Sequence, residues 1–301
     1  MFDSNVGQLR STFWDDNAHY NGLQAQLSKR FGHGLQGEAS FTWSKCIDNG
    51  SSGDIGDAYQ NSYSSLIFFN PADRHGLCDF DVNKNFVANL IYDIPIPKSA
   101  SSVVSHLAGG WEVGGILTTS TGTPFTVSMG GDPIAINNGD SATLPNRLPN
   151  CNPINSDYRK TLQYVNLSCF AAPFAPASMA SQCATNSYPG ASPAQLPSGA
   201  VYCQNLFGNS GRNSLIGPGL VNFDFLVFKN NYIHRISESF NVQFRAEMFN
   251  VFNHANYLPP IDNETILGQD GAIAAPGVSG KLDSTGGFES RQIQLSLKVI
   301  W

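Results

Sequence analysis

The feature that most constrains this chain is the period-two alternation of its last eleven residues, Arg291-Gln-Ile-Gln-Leu-Ser-Leu-Lys-Val-Ile-Trp301. Ile293, Leu295, Leu297, Val299 and Trp301 fall on one face of a strand. Gln292, Gln294, Ser296 and Lys298 fall on the other, with Ile300 the one apolar intruder. A helix would spread these residues around its circumference, whereas a strand keeps them apart on two faces. The terminal aromatic also suits a transmembrane strand whose end lies in an interfacial girdle. A soluble sandwich can end on the same pattern, so this segment establishes a two-faced sheet and leaves its surroundings open.

Seven stretches alternate in this way. The first, about 19–31, sets Leu23, Ala25, Leu27 and Phe31 against Gln24, Gln26, Ser28 and Arg30. The second, about 35–47, sets Leu35, Ala39, Phe41 and Trp43 against Gln36, Glu38, Ser40, Thr42 and Ser44. The others lie at about 84–94, 111–120, 220–228, 239–250 and 291–301. The connections alternate in length: short at 32–34, 95–110 and 229–238, long at 48–83, 120–219 and 251–290. Bacterial outer-membrane barrels join their strands this way, with short turns on the periplasmic side and long loops outside. Counting back from a periplasmic Trp301, every short turn lands inside and every long loop outside. Charges on the apolar face are few and lie near strand ends, as at Lys29, where the ammonium can snorkel to the interface.

Composition agrees with a β-barrel better than with a cytosolic enzyme. Charged residues are 13% of the chain, against roughly 25% for soluble domains. No run approaches the ~20 apolar residues of a membrane helix. A net charge of −6 argues against a nucleic-acid partner. The six cysteines, Cys46, Cys78, Cys151, Cys169, Cys183 and Cys203, are even in number and show no zinc-ligand spacing. That favours disulfides and an oxidising compartment. Met1-Phe-Asp-Ser-Asn-Val-Gly-Gln8 has neither the basic nor the apolar region of a leader, so the natural N-terminus is expected upstream of Met1.

About a hundred residues, 120–219, are too many for a structureless loop. They are expected to form a folded external flap tied by Cys151, Cys169, Cys183 and Cys203. Three pairings are open, and the sequential one is the most local. Cys46 and Cys78 flank the 48–83 loop and can clip it shut. No nucleophile elbow, zinc-protease motif or nucleotide loop is present, so neither an enzyme nor a cofactor is expected. Gly217-Pro-Gly219 precedes a strand rather than a helix and reads as a turn. Asp73, His75, Asp79 and Asp81 offer cation ligands without EF-hand spacing, and solvated acidic loop residues are the plainer reading. Arg245 and Glu247 share the polar face of the sixth strand, where they read as a lumen-facing ion pair.

Three segments carry a more specific likeness. They are Asn70-Pro-Ala-Asp-Arg-His-Gly-Leu-Cys-Asp-Phe-Asp81, which leads into the third strand; Gly110-Trp-Glu-Val-Gly-Gly-Ile-Leu-Thr-Thr-Ser-Thr-Gly-Thr-Pro-Phe125; and the pair Phe207-Gly-Asn-Ser-Gly-Arg-Asn213 and Phe244-Arg-Ala-Glu-Met-Phe-Asn-Val-Phe-Asn-His-Ala-Asn256. Together they resemble the C-terminal barrel of TonB-dependent outer-membrane receptors of the Oar-like, acidobacterial type, from about residue 18 to the terminus. That resemblance implies a plugged barrel of about 22 strands that imports a substrate with energy relayed by the TonB complex. Signal, plug and most of such a barrel's strands are not found in these residues.

The expectation is therefore an all-β, antiparallel transmembrane barrel segment of about seven strands, the C-terminal part of such a receptor. Its expected partners are the outer-membrane bilayer, the N-terminal barrel and plug portion, the outer-membrane insertion machinery, and the TonB complex through the plug alone. Ile293, Leu295, Leu297, Val299 and Trp301 would be the assembly signal. The rival readings are a standalone surface β protein (an adhesin or structural module with disulfide-tied loops) and, more weakly, a secreted β-sandwich hydrolase.

Overall fold

The structure, a computed structural model, describes residues 16–30, 32, 34–51, 71–96, 107–131, 142–285 and 290–301. Seven long strands form one antiparallel sheet: β1 (Ala18–Arg30), β2 (Leu35–Asp48), β3 (Lys84–Asp93), β4 (Trp111–Ser120), β5 (Leu220–Tyr232), β6 (Asn241–Phe249) and β7 (Gln292–Ile300). Each pairs with its sequence neighbour. The two-residue strand Gly76–Leu77 adds to the outer end of β2.

Register turns seven separate alternations into two continuous faces. One apolar row crosses the whole sheet: Lys29, Gly37, Leu90, Gly115, Phe225, Met248, Ile293. The next position along gives Arg30, Gln36, Ile91, Gly114, Leu226, Glu247, Gln294. A one-residue slip in any strand would mix these faces. The apolar face is uncovered, with Leu27 67% and Leu297 69% exposed. A soluble sandwich would bury that face under a second sheet.

The strand ends differ from the sequence expectation for local reasons. β5 runs on to Tyr232, because Asn230, Asn231 and Tyr232 still find ladder partners in β6. β6 starts at Asn241 and stops at Phe249, since Asn250 adopts a positive φ of 48°. Trp301 stands just past the last ladder pair, 87% exposed. In the turn between β1 and β2, Phe31 and His33 lie outside the described residues. Gly34 there has φ +86°, and a Cβ would sit 2.8 Å from that of Asp93, so the turn requires glycine.

The buried core lies not in the sheet but in the loops at one end of it. Phe125, Val127, Met129, Tyr164, Val165 and Phe170 pack with Tyr188, Tyr202, Leu215, Ile266, Leu267 and Leu282. Short ladders organise this cap: Pro124–Phe125 with Leu215–Ile216, Asn146–Arg147 with Phe170–Ala171, and Phe174–Pro176 with Ala200–Tyr202. Thr265–Leu267 pairs in parallel with Ser128–Gly130. The expected flap of residues 120–219 thus needs correction: the 251–285 loop supplies part of its core. A fully buried side chain of this kind contributes about 1.5–3 kcal/mol, so neither loop packs fully without the other.

The disulfides are Cys46–Cys78, Cys151–Cys169 and Cys183–Cys203, with Cα separations of 5.4, 5.4 and 4.9 Å. The first ties β2 to the 71–83 segment, and the other two tie the cap internally. Among the described residues the helices are one turn long or little more, as at Pro71–Arg74 and Tyr158–Thr161, and none is long and apolar enough to cross a membrane.

Candidate functional site

Two of the long loops, 48–83 and 120–219, meet at Arg212. It leaves the cap between Gly211 and Asn213, and its guanidinium is wholly buried. Nε donates to the Arg74 carbonyl at 2.8 Å, and one terminal nitrogen donates to Ser51 Oγ at 3.1 Å and Asp79 Oδ1 at 3.2 Å. The other donates to the Asp48 carbonyl at 2.8 Å and to the Asp48 carboxylate. All five guanidinium N–H groups are therefore satisfied. Asn213 adds a bond to the Leu77 carbonyl at 2.7 Å and another, at 2.5 Å, to Asp79 Oδ1, while its own N–H donates to Thr126 Oγ1 at 2.9 Å. Arg212 thus fastens the 120–219 loop to the 48–83 loop beside the Cys46–Cys78 bridge.

This network settles the fate of the acidic run 73–81. Asp79 serves Arg212 and Asn213, and Asp81 accepts the Cys46 N–H at 2.7 Å. Neither is a solvated loop residue and neither is free to hold a cation. His75 is exposed, and the Asp73 side chain lies outside the described residues. Cys46, Asp48 and Cys78 approach one another closely enough for a metal, but both sulfurs are committed to a disulfide and cannot be thiolate ligands. Burial raises the Asp81 carboxyl above its usual range, against the opposing pull of the Cys46 N–H and Lys45.

Another buried acid lies under the cap. Glu264 precedes the parallel strand Thr265–Leu267, and its carbonyl accepts the Ser128 N–H at 2.9 Å. Its Oε2 is buried and has no hydrogen-bond partner. Burial, reinforced by the charges of Asp262 and Asp79, pushes its carboxyl up to about 8. The cap tyrosines are held protonated by burial as well: Tyr188 is pushed up to about 12 and Tyr164 higher still. Tyr164 donates its hydroxyl to the Ile216 carbonyl at 2.7 Å.

On the sheet, Arg245 and Glu247 stand 3.5 Å apart on the polar face of β6. The Arg245 guanidinium lies over the Phe228 ring, 4.5 Å from its centroid. This is a half-exposed structural pair of modest strength. Sequence reasoning did not find Arg212, Asp48 or Asn213. The one available signal was an arginine in the glycine-rich Phe207–Asn213 stretch, set in a loop with few charges.

A seven-strand antiparallel wall with one uncovered apolar face, one polar face and long loops gathered at one end is the architecture of an outer-membrane barrel. A family model described as "Outer membrane beta barrel domain" matches residues 2–294. The chain belongs to that family and is an outer-membrane protein in contact with the lipid bilayer. Comparison with curated proteins and with solved structures found no match.

Proposed function

We propose that this chain is part of a TonB-dependent receptor that imports a substrate across the outer membrane, with transport rather than catalysis as its role. The observation that carries the reading is the external cap. One buried arginine fastens the 120–219 loop to the 48–83 loop, and the 120–219 and 251–285 loops share one core, so the outer surface is a preformed body rather than separate flexible loops. A receptor that selects a ligand before import needs such pre-organisation. The resemblance of the segments around Asp79, Arg212 and Glu247 to Oar-like receptors supports the same reading, since two of those segments meet in the Arg212 network.

Energy coupling requires a plug, and only the plug would touch the TonB complex. The test is the DNA immediately upstream of Met1 together with uptake in cells depleted of TonB. The expected result is an in-frame plug-encoding sequence and a substrate uptake that stops on depletion. An upstream region that encodes no plug, or uptake that continues without TonB, overturns the reading.

A further inference from the structure

A cleft of about 340 Å³ opens at the external end of the sheet's polar face, within the roughly 300–1,000 Å³ of small-molecule sites. Its floor is one row of the register: Thr42 on β2, Asn85 on β3 and Ser120 on β4. Its walls are two aromatic side chains, Tyr20 of β1 and Phe80 of the 71–83 segment, 60% and 48% exposed. The Phe80 wall is fixed in place. Ser44 donates its N–H to the Asn83 carbonyl at 2.9 Å and its hydroxyl to the Val82 carbonyl at 3.1 Å, and the Cys46–Cys78 bridge closes the same segment. The Tyr20 wall depends on Gly22. A Cβ there would sit 2.9 Å from the tyrosine oxygen and 3.1 Å from the ring, so glycine lets the ring lean along the strand.

The lining chemistry narrows the ligand. Two hydroxyls and an amide form the floor, and among the described residues none of these three side chains has a hydrogen-bond partner. They offer donors and acceptors in one plane. Among the described residues the one acid lining the cleft is the buried Asp81, and no lysine or arginine lines it, so an anion meets no counter-charge there. The rings supply flat apolar faces at the rim. A ligand matching all three features carries a rim of hydroxyls around an apolar C–H face.

We infer that this cleft binds a neutral sugar of one or two units, which hydrogen-bonds to Thr42, Asn85 and Ser120 and stacks on Tyr20 or Phe80. The inference rests on the receptor reading and names its substrate class. The test titrates outer membranes that carry the protein with maltose, cellobiose, glucose 6-phosphate and spermidine, followed by saturation-transfer NMR against membranes that lack it. Intactness of the Cys46–Cys78 bridge is checked by mass spectrometry. One of the neutral disaccharides should receive saturation. Its Kd should weaken about tenfold in Tyr20→Ala, and about five- to tenfold in Thr42→Val, an isosteric change that removes only the hydroxyl. Arg147→Ala, in the cap, should leave it unchanged. Transfer to neither disaccharide, or binding that both cleft variants leave intact, overturns the inference. So does a preference for glucose 6-phosphate, or for spermidine. Uptake independent of TonB would sink the receptor reading yet leave sugar binding standing, so the two ideas fail separately.

Discussion

Arg212 and Glu264 face opposite electrostatic problems under the same cap. Arg212 is buried but fully partnered, so its removal leaves Asp48 and Asp79 as uncompensated buried charges. Arg212→Met should cost about 3–5 kcal/mol. Hydrogen exchange of the amides of residues 209–216 should speed up accordingly, and Asp48→Asn with Asp79→Asn in the same chain should restore part of the protection. Unchanged exchange in Arg212→Met would show that the 48–83 and 120–219 loops are held by other contacts. Glu264 is buried with an unpartnered oxygen, and its carboxyl is raised from an ordinary 4.5 to about 8. Between those values the folded cap holds a proton that the opened cap releases. Stability therefore falls as pH rises through that window and levels off above it. Glu264→Gln should remove the fall, leaving the cap equally stable at pH 4 and about 2–4 kcal/mol more stable at pH 8.5. Hydrogen exchange of the Ser128–Gly130 amides reads this directly; a variant that tracks the wild type at both pH values would contradict it.

The long strands were legible in the sequence because a strand between lipid and lumen has no freedom to break period two. Each of the seven carries its own alternation, and the register merely aligns them, as the row from Lys29 to Ile293 shows. The cap was legible only in outline. Its cysteines announced a folded, tied flap, and the two bridges within it join sequence neighbours. Its cross-links could not be read. Asp79 pairs with Arg212 across 133 positions, and Ser128 meets Thr265 across 137, with no periodicity to signal either contact. The acidic run 73–81 misled for the same reason, because its partner lay in another loop. One element-scale prediction follows from β7. If Ile293, Leu295, Leu297, Val299 and Trp301 are read by the insertion machinery, deleting Trp301 should lower the yield of the protein inserted into outer membranes. Insertion at wild-type yield would make the residue no more than a strand end, which its position beyond the last ladder pair also permits.

At the scale of the molecule, two different physical regimes share one chain. The cap is held as a soluble domain is, by a buried aromatic core, disulfides and a satisfied ion network. The sheet has no such core; its apolar face is stable only against lipid, and among the described residues β1 and β7 each have one unpaired edge. Unpaired backbone groups cannot face hydrocarbon, so in the membrane these edges must meet further strands. The claim on which the rest depends is that the Leu297 face meets lipid and the Ser296 face meets water. The described cysteines are all paired, so single spin labels can be placed at Leu90, Leu297, Asn89 and Ser296 of the chain in outer membranes. Their accessibility to molecular oxygen and to a water-soluble nickel chelate can then be compared. The structure predicts oxygen access at Leu90 and Leu297, and chelate access at Asn89 and Ser296. Chelate access at all four positions would show a sheet with water on both faces, and would contradict the membrane wall itself.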